Sequence, residues 1–119
     1  MPTTPLIRYL TEDDVLATLT MPLAIGLLED ASRALVAGKA VNAPRQRVKA
    51  DGPMLHMLPA ALGERVGYKA YTASSKGVRF LVMLYGSGGE LLAMIEANAL
   101  GQIRTGAASG MATRALARE

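Results

Sequence analysis

The chain has 119 residues, a formal net charge of +3, 50% hydrophobic residues and 19% charged residues. That length suits one domain with a core of its own, and the composition excludes intrinsic disorder. With no cysteine and His56 as the single histidine, disulfides, thiolate catalysis and multi-histidine metal sites are excluded, so no metal is expected.

The opening stretch MPTTPLIRYL lacks the basic region and long apolar core of a secretory signal. No apolar run reaches the length of a membrane span. The expectation is a soluble, cytoplasmic protein with no membrane partner. Aromatic residues make up only 4%, and the charge is mild, which argues against a nucleic-acid partner. The acids Glu12, Asp13, Asp14, Glu29 and Asp30 come early, whereas most cations follow Pro44. That asymmetry suits a site for small anions in the later part of the chain.

Leu6 to Leu10 is a short apolar strand candidate. Thr11-Glu12-Asp13-Asp14 then matches a capping box, with Thr11 as the N-cap and Val15, Leu16 and Leu19 as the apolar face of a short helix. A second helix is expected from about Thr20, with Pro22 in its first turn and Gly38 at its C-terminal end. Leu23, Leu27, Ala31, Ala34 and Leu35 follow helical spacing, and Glu29, Asp30 and Arg33 take the wet side.

From Asn42 the period changes to two, so Arg45, Arg47 and Lys49 are expected on one face of one strand. Asp51-Gly52-Pro53 reads as a turn into a strand over Met54–Leu58, which Pro59 is expected to end. Arg65 to Thr72 is the next strand, followed by the polar connection Ser74-Ser75-Lys76-Gly77. Val78 to Tyr85 is apolar on both faces and reads as a central, covered strand. Gly86 to Gly89 is a hairpin loop, Glu90 to Glu96 a further strand, and Ala97 to Glu119 a helix. The expected fold is α+β. Its mainly antiparallel sheet has about five to six strands, with N-terminal helices and a C-terminal connecting helix.

Several residues carry candidate chemistry. Arg45, Arg47 and Lys49 could grip a carboxylate, arginine being suited to two parallel hydrogen bonds, or could be charges that keep an edge strand soluble. Lys69, in Gly67-Tyr68-Lys69-Ala70-Tyr71, could hold a carboxylate or transfer a proton, or be a surface lysine. Gly67 would let a backbone or ligand approach closely. His56 reads as structural, and Glu96 as a polar strand end. A single histidine leaves no Ser-His-Asp set, and neither glycine-rich stretch has the context of a phosphate loop.

The last helix includes Gly101, Gly106 and Gly110, at roughly 1 kcal/mol each relative to alanine. Small residues there give clearance for a ligand, a cofactor or another element beside Arg104 and Thr105. Close helix packing would explain the glycines but not the Arg-Thr pair.

The string LLAMIEANALGQIRTGAASGMATRALAR strongly resembles the ornithine cyclodeaminase and mu-crystallin family, and APRQRV, MLHMLPA and GYKAYT fall in the family's order. That family includes NAD(P)-dependent cyclodeaminases, archaeal-type alanine dehydrogenases and ketimine reductases. The resemblance covers nearly the whole chain, but only the N-terminal segment of the longer family protein. It implies a substrate-binding and dimerisation segment over residues 1–119, with the Rossmann domain absent from this chain. It also implies that Arg45 and Arg104 bind the substrate carboxylate, and that Lys69 binds substrate and acts in catalysis. Thr105, Ala108 and Ser109 are implied to lie beside the nicotinamide cofactor. The implied cofactor is NAD or NADP in the full-length family, with none bound tightly by this chain alone. The implied partners are a small amino or imino acid and a second copy of the chain. A truncated, non-catalytic module that dimerises or binds a small carboxylate is the alternative reading.

Overall fold

The computed structural model describes residues 6–118. The first five residues of the stretch read as lacking a signal, and Glu119 of the last helix, lie outside the described residues. The elements run β1 (Arg8–Leu10), α1 (Glu12–Thr18), α2 (Met21–Val36), β2 (Ala40–Asn42), β3 (Gln46–Lys49), β4 (Met54–Leu62), β5 (Arg65–Ser74), β6 (Gly77–Tyr85), β7 (Leu91–Glu96) and α3 (Asn98–Leu116). Seven strands form one open sheet in the order β1-β7-β6-β5-β4-β2, with β3 also pairing β4. Among the described strands only β1 with β7 is parallel. The α+β class and the mainly antiparallel sheet are as the sequence implies.

The local causes are legible. Thr11 accepts from the Asp14 amide while the Asp14 carboxylate accepts from the Thr11 amide, closing the expected capping box of α1. Thr20 caps α2 and Pro22 sits in its first turn. Gly38 follows α2 at φ +76°, the left-handed conformation that ends a helix and favours glycine.

The expected strand from Asn42 to Lys49 is in fact two strands. β2 and β3 both pair with β4, and the chain leaves the ladder over Ala43, Pro44 and Arg45. Arg45 therefore stands just outside the strand, and only Arg47 and Lys49 project from it. Pro59 does not end β4. Its carbonyl accepts from the Ala43 amide, so its backbone edge points at the gap between β2 and β3. There a missing N–H costs no ladder bond.

Helices α2 and α3 lie over one face of the sheet. The buried line of α2 runs through Ala24, with Leu28 and Ala31 facing the sheet, while Leu23, Leu27 and Leu35 are about half exposed. This shifts the apolar face from the one expected. The other sheet face carries Met57, Ala70 and Leu81 in one row and Pro59, Tyr68, Met83 and Met94 in the next. No helix among the described residues covers it. β6 is therefore central in the order of strands but covered on one side only, because its second apolar face meets no other layer of this chain.

The core is consequently thin. Its buried apolar residues are Val15, Ala24, Ala93, Ala97 and Ala107, and no large described side chain is fully buried. The radius of gyration is 16.1 Å, against about 13–14 Å for a compact domain of this length.

Candidate substrate and cofactor site

The site lies where β5 and β6 face α3. On the helix-bearing side of the sheet, register places Arg47, His56, Tyr71 and Phe80 in one row across β3, β4, β5 and β6. The adjacent row is Leu58, Lys69, Val82 and Ile95. The His56 ring stacks on Tyr71 at 4.4 Å and 5° between planes, and Tyr71 packs on Phe80 at 4.7 Å. Lys69 Nζ sits 5.2 Å from the centre of the Phe80 ring, within cation–π reach. Arg45 donates to the Tyr71 hydroxyl at 3.2 Å. An aromatic run thus carries cations at its ends.

Lys69, Val78 and Phe80 face Asn98, Gly101, Gln102 and Thr105 of α3 across an open cleft of about 670 Å³. Burial holds the Lys69 ammonium below its usual pKa, and Arg104 and then Arg45 push it in the same direction. Arg104 and Arg45 therefore each lie within electrostatic reach of Lys69. Among the described residues the ion pairs are Arg33 with Asp30 and Arg114 with Glu29. None of these four belongs to the site.

Position along α3 divides the expected cofactor residues. Thr105 lines the cleft, and its hydroxyl donates to the Gly101 carbonyl at 2.8 Å. Ala108 and Ser109 lie one turn further on and do not line it. The glycines divide as well. A Cβ on Gly106 would meet Met21 at 3.2 Å, and one on Gly110 would meet Ile25 at 3.2 Å. These two serve the packing of α3 on α2, as in the plainer sequence reading. Gly101 has nothing within 4 Å of such a Cβ and opens onto the cleft beside Lys69. Gly67 is different again. Its Cβ would stand 2.6 Å from the Met83 carbonyl oxygen, so the close approach there is that of the neighbouring strand.

The anchor of α3 was not legible from local sequence. Its N-cap, Ala97, provides no side-chain bond. Glu12 does so from 86 residues away, accepting from the Asn98 amide at 2.9 Å and the Ala99 amide at 2.8 Å. Glu96 in turn accepts from the Glu12 amide and from the Tyr9 hydroxyl, both at 2.9 Å. Two carboxylates thus cap the N-termini of α1 and α3 reciprocally, where helix dipoles favour negative charge. They fix the helix that carries Arg104 and Thr105. Glu96, expected to be an idle strand end, belongs to this support.

A second, apolar groove of about 560 Å³ lies between α2 and the sheet, lined by Leu28, Leu35, Leu58, Val82 and Leu84 among others, and Lys69 reaches it too. Among the described residues there is no cluster of three or more potential metal ligands. No single helix among the described residues is long and apolar enough to cross a membrane.

The sequence profile of the ornithine cyclodeaminase/mu-crystallin family matches residues 8–119, and the chain belongs to that family. No curated protein matches it in sequence. Among solved structures it is similar to a protein described as a probable ornithine cyclodeaminase from Bordetella pertussis Tohama I, with 28% identity and a TM-score of 0.89 over 95% of this chain and 37% of that one. It is also similar to an archaeal alanine dehydrogenase dimer with bound NAD, with 29% identity and a TM-score of 0.86 over 94% of this chain and 38% of that one. A third is the Thermococcus litoralis Δ1-pyrroline-2-carboxylate reductase in complex with NADH and L-proline, with 26% identity and a TM-score of 0.82 over 92% and 38%. The chain thus spans little more than a third of these proteins.

Proposed function

We propose that this chain is the substrate-carboxylate-binding and dimerising part of a cytoplasmic NAD(P)-dependent amino-acid dehydrogenase, cyclodeaminase or imino-acid reductase. The observation that carries this reading is Lys69 on the wall of a cleft whose far wall is Gly101 and Thr105, with the charges of Arg104 and Arg45 both acting on its ammonium. Two guanidinium groups and one ammonium, none of them in an ion pair among the described residues, suit a small anion such as a carboxylate.

Each residue then has a role. Arg45, steadied by the Tyr71 hydroxyl, and Arg104, carried by the anchored helix, grip the carboxylate. Lys69 binds beside them, and its lowered pKa suits it to give or take a proton at the substrate nitrogen. The open space at Gly101 admits a flat ring next to Thr105, and Ala108 and Ser109, outside the cleft, would meet only a part of the cofactor reaching further along α3. A nicotinamide bound there would supply the hydride chemistry of an amino acid and its imine. The chain holds the α-carbon towards it, because the carboxylate is fixed on the opposite side. Such a cleft covers one end of a dinucleotide, so tight binding of NAD or NADP by this chain alone is not expected.

The uncovered apolar sheet face supports the dimer, and also a second reading, in which the chain acts as a non-catalytic dimerising module. Calorimetric titration with L-alanine, L-ornithine and L-proline, and with their keto or imino forms, tests the site. Arg45→Ala and Arg104→Ala should each weaken the bound ligand roughly tenfold to a hundredfold. Unchanged affinity in both variants would refute the carboxylate grip.

A further inference from the structure

His56 and Arg47 lie beside the proposed carboxylate grip and have no part in it. They are Cα partners across β3 and β4, so both side chains stand on the helix-bearing face, with His56 next to Tyr71 in the same row. His56 is 9% exposed, and its Nδ1 is buried without a hydrogen-bond partner. Buried polar atoms are ordinarily paired, and an orphan costs about 1–3 kcal/mol. Aromatic stacking on Tyr71 explains where the ring sits but not why an imidazole stands there rather than an apolar side chain. Arg47 is exposed and belongs to no ion pair among the described residues.

Charge leads to the same place. One carboxylate is matched by Arg45, Lys69 and Arg104 together, which leaves the Arg47 guanidinium unmatched, while burial and then the Arg47 and Arg45 charges hold His56 below its usual pKa and favour a neutral imidazole. Lys69 lies diagonally across β4 and β5 from His56, and such diagonal neighbours are about 7–8 Å apart. One small substrate can therefore touch both.

We infer that Arg47 and His56 form a second anionic subsite, and that the substrate is an acidic amino or imino acid whose side-chain carboxylate they receive. This rests on the reading of Arg45, Lys69 and Arg104 as the grip on the first carboxylate. Arg47 donates charge-assisted hydrogen bonds to the second carboxylate. His56 gives that group a polar wall, where an apolar residue would desolvate it without a partner.

The test is a calorimetric titration of the chain with L-aspartate and with L-asparagine, which differ by one carboxylate against an amide of the same shape. Aspartate should bind more tightly by roughly tenfold or more. In Arg47→Ala, an exposed position whose change should not unfold the sheet, the preference should fall to within about twofold, by the loss of the same bonds. His56→Leu should reduce it as well. Lys49→Ala, which removes a cation from the same face of β3, should leave the ratio in place, since a diffuse positive field would respond to either change. If asparagine binds and aspartate shows no preference, or if Lys49→Ala lowers the ratio as much as Arg47→Ala, the second subsite is refuted and the first grip stands. If neither ligand binds, both fall.

Discussion

The two faces of the sheet are built from the same strands and differ in almost every physical respect. On one face, Lys69 and Phe80 look towards α3, the lysine sits against the Phe80 ring, and the helix is capped by a carboxylate from a distant element. On the other, Tyr68, Met83, Tyr85 and Met94 form an apolar surface that no helix among the described residues covers. Strand alternation produces both at once, because Lys69 and Tyr68 are neighbours in sequence and point in opposite directions. The lesson is that ligand binding and association can be changed separately here. The first depends on charge placed against aromatic rings, and the second on apolar area that this chain leaves wet.

The sharpest way to break the comparison is Met83→Glu, which buries a charge in the uncovered face if that face pairs with a second copy. Association should weaken by at least about 3 kcal/mol, more than a hundredfold in the dissociation constant. Carboxylate affinity should hold. Light scattering and analytical ultracentrifugation read the first, and calorimetry the second. An unchanged oligomeric state would mean that the open face is not the interface.

Gly67→Val should disturb both faces together, since its side chain would push on the backbone of β6 at the Met83 carbonyl. A loss of about 2–3 kcal/mol in denaturant unfolding is expected. A smaller effect is expected from Glu12→Ala, which removes the cap of α3 without touching the cations. Stability should fall by about 1 kcal/mol, and amide exchange should rise in the first turn of α3, near Asn98 and Ala99.

The smallest effect concerns the capping box. Hydrogen bonds from the Thr11 amide and hydroxyl hold the Asp14 carboxyl below its ordinary pKa. Its contribution is therefore present above the unfolded-state value, near pH 4, and is lost as the pH falls through the lower folded value. Asp14→Asn should be slightly less stable than the parent at pH 7, and the two unfolding curves should converge in acid. A gap that stays constant with pH would remove Asp14 from the cap.

Much of the frame was readable in the sequence because its causes are local. Thr11 with Asp14, Pro22 after Thr20 and Gly38 after α2 each act within one turn. Arg45, Lys69, Arg104 and Thr105 were singled out by pattern and given roles by resemblance; of these, Lys69 and Thr105 line one cleft, and Arg104 and Arg45 act on the Lys69 ammonium from outside its lining. What escaped depends on partners far along the chain. Pro59 was misread because the gap between β2 and β3 that tolerates it is a property of the sheet. Glu12 gave no local sign of capping a helix 86 residues later. Gly101, Gly106 and Gly110 look alike in sequence, and only the position of α2 shows that two serve packing and one faces the cleft. His56, read as structural, is buried and stacked on Tyr71, and its unpaired nitrogen does not follow from spacing.

The most direct test of the central claim is where a bound carboxylate sits. A crystal structure of the chain soaked or grown with L-proline, or with the acidic ligand L-aspartate, should place the α-carboxylate within hydrogen-bond distance of Arg45, Lys69 and Arg104, at the cleft edged by Gly101 and Thr105. A ligand found instead in the apolar groove between α2 and the sheet, with its carboxylate away from those three cations, would contradict the account.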